Sequence, residues 1–293
     1  MRQGFVKVAA VTPKIRVADT KYNAEIICEK LKEVYSHGAK VIVFPELCIT
    51  GYTCSDLFLQ ELLLEEAVAA LKQIVKATEG QDAVVMVGLP IERDGRLYNV
   101  AAVLQNGKIL GMVPKANIPT YAEFYEGRHF TEGNTEVAEF YLDGEAIPFG
   151  TNLLFECMDL KGLVICCEIC EDLWVANPPS TNHALMGATV IANLSASNET
   201  VGKDEYRDLL VKSASGRLLC GYIYTSAGEG ESTQDLVFGG HNLIAENGTI
   251  LAEAKRFKGQ TIYGDLDIQR ILAERRRMGT FGKEPQIPYT IVP

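Results

Sequence analysis

Short, continuously apolar runs alternate with segments of helical period along this chain, and that alternation limits its fold more than any other feature. Residues 6–11 read as a strand. Ala24, Ile27, Cys28, Leu31, Val34 and Tyr35 then recur at helical spacing up to the stop signal Gly38, and 41–44 is apolar throughout. The pattern continues with a helical segment over 56–78, a strand over 84–88, and a hairpin of 97–104 with 108–113 around Asn106-Gly107. Further on, strands are expected at 163–166, 190–194 and 221–226, with a helix over 204–219. A second hairpin, 238–245 with 250–254, turns at Asn247-Gly248, and 261–265 closes the sheet region. Strands without polar alternation are covered on both faces, so the pattern predicts an α/β fold of mixed sheets with helices outside. A chain of 293 residues, 47% hydrophobic and without a Ser/Gly/Pro-rich linker, is long enough to fold as one large domain, expected over 1–275 with a tail or linker over 276–293.

Three of the apolar runs end abruptly in a chemically useful side chain. Residues 41–44 lead into Pro45-Glu46, 109–113 into Pro114-Lys115, and 163–165 into Cys166-Cys167-Glu168-Ile169-Cys170-Glu171-Asp172-Leu173-Trp174. A group at the end of a buried strand is held rigidly and can still open into a pocket, which is what a nucleophile requires. A free thiol, with a pKa of about 8.5, is mostly protonated at neutral pH, so Cys170 needs a base. Glu46 is the candidate base, and Lys115 offsets the repulsion between a carboxylate and a thiolate. Taken singly, each has an ordinary reading: a solvated Glu, a surface Lys, a core thiol.

Other constellations are weaker. Cys167 and Cys170 have zinc or redox spacing, but no second Cys or His pair stands at zinc-ribbon distance. The four histidines, His37, His129, His183 and His241, show no ligand spacing, so no metal is expected. Phe238-Gly239-Gly240-His241 lacks the following Lys-Ser/Thr of a phosphate cradle and reads as a strand or bulge. The eight cysteines lie largely in apolar surroundings and are expected as free thiols. A formal charge of −10 opposes binding to a phosphate backbone, and Arg275-Arg276-Arg277 is too short a basic run to reverse that. No apolar run approaches the roughly 20 residues of a membrane span. The N-terminal residues enter a strand and not a signal peptide, so a cytoplasmic location is expected.

Glu46, Lys115 and Cys170 together resemble the catalytic triad of the nitrilase, or carbon-nitrogen hydrolase, superfamily. Longer segments narrow the likeness. Phe44-Pro45-Glu46-Leu47-Cys48-Ile49-Thr50-Gly51-Tyr52-Thr53-Cys54-Ser55-Asp56-Leu57-Phe58, Lys115 through Glu123-Phe124-Tyr125-Glu126, and Glu168-Ile169-Cys170-Glu171-Asp172 resemble the glutaminase domain of glutamine-dependent NAD synthetases. The resemblance implies a four-layer α-β-β-α sandwich, with two mixed sheets face to face. It implies release of ammonia from L-glutamine through a thioester on Cys170, without a cofactor, and a homo-oligomer in solution.

By the same resemblance Tyr121, Ser197 and Lys203 bind glutamine, with Glu171, Tyr52 and Phe124 as pocket neighbours. Glu123 or Glu126 orients Lys115, and the sequence does not choose between them. Lys203 departs from the arginine found in some members, and an ammonium grips a carboxylate less directionally than a guanidinium. In the family a second domain, using ATP and Mg, consumes the ammonia. Its Ser-Gly-Gly phosphate loop is not present in these 293 residues, so synthetase activity is not expected of this chain. Two other functions fit the same residues: a stand-alone amidase acting on a small amide, nitrile or N-carbamoyl compound, and a catalytically silent oligomerising module.

Overall fold

The computed structural model describes residues 3–282 and 287–293. β1 (Phe5–Ala10), α1 (Thr20–Ser36) and β2 (Val41–Val43) form a parallel strand-helix-strand unit, which α2 (Glu61–Ala77) extends to β3 (Val84–Arg93). β4 (Arg96–Gln105) and β5 (Lys108–Pro114) follow as an antiparallel meander. β6 (Thr120–Tyr121) and β7 (Phe124–Tyr125) make a small separate hairpin, and β8 (Ala138–Leu142) with β9 (Glu145–Phe149) makes another that joins β5. The second half contributes β10 (Leu153–Glu156), β11 (Val164–Ile169), α3 (Pro179–Leu185), β12 (Val190–Ser195) and α4 (Lys203–Arg217). Next come β13 (Gly221–Ser226), β14 (Leu243–Glu246), β15 (Thr249–Glu253), β16 (Ile262–Asp267), α5 (Ile268–Arg277) and β17 (Thr290–Val292).

The strands form an eight-stranded sheet, β16-β1-β2-β3-β4-β5-β9-β8, and a seven-stranded sheet, β15-β14-β13-β12-β11-β10-β17. Period-two alternation assigns each residue to a layer. Val6, Val8 and Ala10 of β1 meet Cys167, Ile169, Ala192 and Leu194 of the other sheet in one core, whereas Ala9 faces the helices. The outer layers follow the helical period. α1 turns Ala24, Ile27, Leu31 and Val34 inward, and α2 turns Ala67, Ala70, Leu71 and Ile74 inward, onto the first sheet. α3 and α4 cover the second sheet through Ala184, Val211 and Ala214. Each fully buried Leu or Ile in these seams contributes about 1.5–3 kcal/mol, so a charged residue at Leu71 would open the α2 seam. Two mixed sheets between two helical layers is the nitrilase-type sandwich that the resemblance implies.

This topology brings strand ends together. β2, β3 and β5 run in one direction, so 46 and 115 emerge at the same edge of the first sheet. β11 and β12 are parallel, so 170 and 196 emerge together from the second. A Glu46 amide bond to the Ser195 carbonyl, at 3.3 Å, joins the two edges.

Several elements differ from their sequence reading. The helix expected over 56–78 is divided at Gln60, whose extended backbone separates a 3-10 turn, Ser55–Leu59, from α2. β3 runs on to Arg93, because Asp94-Gly95, both at positive φ, turn it into β4. The strand expected over 238–245 shrinks to β14: Gly240 has φ 63°, and His241 and Asn242 spend their side chains on Arg207 and Thr12. The segment 276–293, expected as a tail or linker, starts within α5 and ends in β17, which pairs parallel with β10 as an outer strand. The sequence reading missed it because three residues carry too little pattern to register.

Candidate active site

Glu46 leaves β2 through Pro45 into a tight turn that puts Leu47 at φ 50°. The turn lies directly on β3, where a Cβ at Gly88 would sit 2.3 Å from the Leu47 nitrogen, so only glycine fits. The Glu46 carboxylate is buried and held at both oxygens. Oε1 accepts from Lys115 Nζ at 2.7 Å and from Asn99 Nδ2 at 2.6 Å, and Oε2 accepts from the Ala196 amide at 2.8 Å. Burial pushes Glu46 up to about 7; the Lys115 charge opposes that rise, and the nearby Glu126 carboxylate adds to it.

Lys115 follows β5, its amide bonded to the Asn99 carbonyl at 2.8 Å. Its ammonium is fully buried and also reaches Glu126, at 2.7 Å to Oε1 and 2.9 Å to Oε2. Burial by itself would lower its pKa, but the Glu126 and Glu46 carboxylates hold it well above the ordinary lysine value. Lys115 is a permanent cation. Of the two glutamates that the sequence left open, Glu126 meets Lys115, while Glu123 accepts instead from Asn198 Nδ2 at 2.7 Å.

Cys170 opens a 3-10 turn, Cys170–Leu173, and sits at φ 42°, a left-handed conformation that costs a non-glycine residue about 1–3 kcal/mol. Asp172 secures that turn: it accepts from the Ile169 amide at 2.9 Å and from the Asn117 amide at 2.9 Å, tying the Cys170 turn to the loop after Lys115. The thiol is 7% exposed. Burial pushes it up to about 12, and the charge of Glu46 adds to that, whereas Lys115 and the Ala196 amide act the other way. Lys115 therefore offsets only part of what burial and Glu46 impose, and the resting sulfur is a neutral thiol. The Ala196 N–H itself donates to Glu46.

The remaining residues named from sequence lie around this centre. Tyr52 donates to Glu126 Oε1 at 2.8 Å, and its ring meets Phe238 edge-on at 5.7 Å. Tyr121 donates to both oxygens of Glu171, at 2.9 and 3.0 Å, and packs edge-on against Phe124. Lys203 donates to Asn198 Oδ1 and lies 5.4 Å over Phe124 and 5.0 Å over Trp174; burial lowers its pKa. Ser197 is buried, its hydroxyl accepting from Arg207 Nη2 at 3.1 Å. A cleft lined by Tyr52, Glu123, Phe124 and Glu126 opens beside the centre, and Cys170 is not among its lining residues.

Sequence reading missed Asn99, Arg207 and the Ala196 amide. Asn99 had a signal as a lone polar residue inside the apolar strand 97–104. Arg207 had another, since it shares the inward stripe of α4 with Val211 and Ala214. The Ala196 contact had none, because any residue supplies a backbone N–H. Among the described residues no group of three or more His, Cys, Asp and Glu side chains is placed to hold a metal, and no helix is long and apolar enough to cross a membrane.

Comparison with known proteins places the chain among relatives of the same fold. The chain is 45% identical over 282 residues to a glutamine-dependent NAD(+) synthetase of Mycobacterium tuberculosis strain H37Rv, covering 96% of this chain and 42% of that protein. It thus spans less than half the length of the curated relatives it matches. The crystal structure of a glutamine-dependent NAD(+) synthetase from Cytophaga hutchinsonii superposes with a TM-score of 0.80 at 29% identity, over 89% of this chain and 43% of that one. A Saccharomyces cerevisiae member of branch 10 of the nitrilase superfamily shares the fold, with a TM-score of 0.75 at 18% identity and 96% coverage of both chains. Residues 7–276 match the family described as carbon-nitrogen hydrolase, and with the strand-end Glu46, Lys115 and Cys170 on one edge of the sandwich, the chain belongs to that family.

Proposed function

We propose that this chain is a glutamine amidohydrolase module, which releases ammonia from L-glutamine for an ATP-dependent synthetase domain of the kind its longer relatives are named for. One observation carries the reading: a buried Lys115 shared between Glu46 and Glu126, against a cysteine held rigidly at a strand end. Glu46, raised to about 7, is poised to take and return a proton near neutral pH. With burial pushing the thiol up to about 12, little thiolate stands ready at neutral pH, so proton removal accompanies attack.

Glu46 takes the Cys170 proton as the sulfur bonds to the carboxamide carbon, whose oxygen becomes an oxyanion. Lys115 Nζ and the backbone N–H of Glu171 stabilise that charge, each such donor contributing about 3 kcal/mol. Protonated Glu46 gives its proton to the leaving nitrogen, ammonia departs, and a γ-glutamyl thioester remains. A water then loses a proton to Glu46 and attacks the thioester; glutamate leaves, and the proton returns to sulfur. No metal or organic cofactor enters these steps, and ATP with Mg belongs to the synthetase domain. Tyr121, Glu171, Phe124, Ser197 and Lys203 grip the amino-acid end, with Tyr52 holding Glu126. The module works as a homo-oligomer in the cytoplasm.

Ammonia release from glutamine, compared between the unaltered chain and Cys170→Ala, tests the reading. The unaltered chain is expected to release ammonia and the variant none; equal release by both would sink it. A panel of small amides and nitriles separates the module from a free amidase, which would show no preference for glutamine.

A further inference from the structure

Arg207 is fully buried, yet neither the strand-end chemistry nor the pocket accounts for it. Its guanidinium spends four N–H groups on one short stretch of chain and what flanks it. Nη2 donates to Ser197 Oγ and to the Asn198 carbonyl, both at 3.1 Å; Nη1 donates to Glu199 Oε1 at 3.1 Å and meets His241 Nδ1 at 2.8 Å. Only Nε finds no acceptor among the described residues. A guanidinium stays protonated, so His241 Nδ1 must be the bare, accepting nitrogen, and Nε2–H donates to Glu253 at 2.9 Å.

The stretch that Arg207 holds, 197–199, faces the site from the other side. Within it the Asn198 side chain holds both Glu123 and Lys203. The glycine run set aside earlier fits here. Phe238 bridges Asn198, Glu199 N donates to the Val237 carbonyl at 2.7 Å, and a Cβ at Gly239 would lie 2.6 Å from Glu199 Oε1. The run 238–241 is a clamp: glycine leaves room for the Glu199 carboxylate, and His241 fixes the outer edge of the guanidinium.

We propose that Arg207, seated by His241 and Glu199, is the positioning residue for the 197–199 stretch and thereby for the grip on the amino-acid end of the substrate. This rests on the glutamine reading above. Its consequence is selective: loosening the fork weakens recognition of the amino-acid end more than it changes the reactivity of Cys170. Lysine keeps the charge but not the planar fork, and asparagine at 241 keeps an acceptor where leucine does not.

The test measures how fast Cys170 is labelled by a chloroketone analogue of glutamine and, separately, by iodoacetamide, which carries no amino-acid end. Arg207→Lys is expected to slow the glutamine analogue about tenfold and iodoacetamide by less than about twofold. His241→Leu should behave like Arg207→Lys, and His241→Asn should restore the unaltered rate. Equal slowing of both reagents would reduce Arg207 to a structural residue, and no slowing of either would reject the proposal outright. An unaltered chain that labels without preference for the glutamine analogue would instead overturn the glutamine reading, and this inference with it.

Discussion

Cys170 combines two costs, a left-handed backbone and a thiol buried at 7% exposure. The backbone cost is testable on its own, since glycine adopts φ 42° freely and alanine does not. Cys170→Gly is expected to be more stable than Cys170→Ala by about 1 kcal/mol in urea unfolding, the reverse of the usual order, with both variants inactive. On the proposed mechanism Glu46 sets the pH response. Only its ionised form accepts the thiol proton, and burial holds its pKa at about 7, so activity is fully present above that value and lost as pH falls through it. kcat/KM for glutamine should therefore rise with a midpoint near 7; a midpoint below about 5, in the ordinary carboxylate range, would show that the base is elsewhere. The Glu, Lys and Cys that the fold brings together were legible as residue types, because an apolar run stops at each. Which glutamate meets Lys115 was not. Glu123 lies in the turn before β7 and Glu126 directly after it, three residues apart, and only the folded path turns one inward and gives the other to Asn198.

Strands and helices with a strong period were legible from sequence, and the misses have local causes. Gln60 interrupts an otherwise helical composition, and β17 is too short to show a pattern. The junction of β2 with β3 makes a sharper point. Gly88 lies inside a buried strand, where a glycine ordinarily weakens the sheet, yet here it admits the Glu46 turn. Gly88→Ala would push its Cβ against Leu47 N and, at 2.7 Å, against Pro45 O, both of them backbone atoms. The expected cost is about 1–3 kcal/mol of stability. A loss of about 100-fold in kcat should accompany it, since a base displaced by even 1 Å no longer lines up with the thiol. A variant that melts lower but turns over normally would show that the turn does not position Glu46.

The whole molecule depends on two sheets closing over one apolar seam, with their functional edges aligned. β17 belongs to that closure although it comes from the last residues of the chain: it covers β10, and Tyr289 beside it meets His183 of α3 at 2.9 Å. Removing residues 287–293 would expose the edge of β10. The shortened protein is expected to lose roughly 2 kcal/mol and to self-associate with rising concentration through the free edge. Size-exclusion profiles and denaturation midpoints check this, and unchanged values would show that β17 is dispensable.

The order of apolar runs and helical periods determined the α/β class, the strand ends and the kinds of groups they carry, because each depends on neighbours within a few residues. Tertiary structure decided the rest. The Glu46–Lys115–Glu126 pairing, the Ala196 amide that donates to Glu46, and the Arg207 clamp join residues distant along the chain. Their partners are fixed only when two parallel arrangements place their strand ends face to face, and burial then sets the protonation that local sequence leaves at its ordinary value.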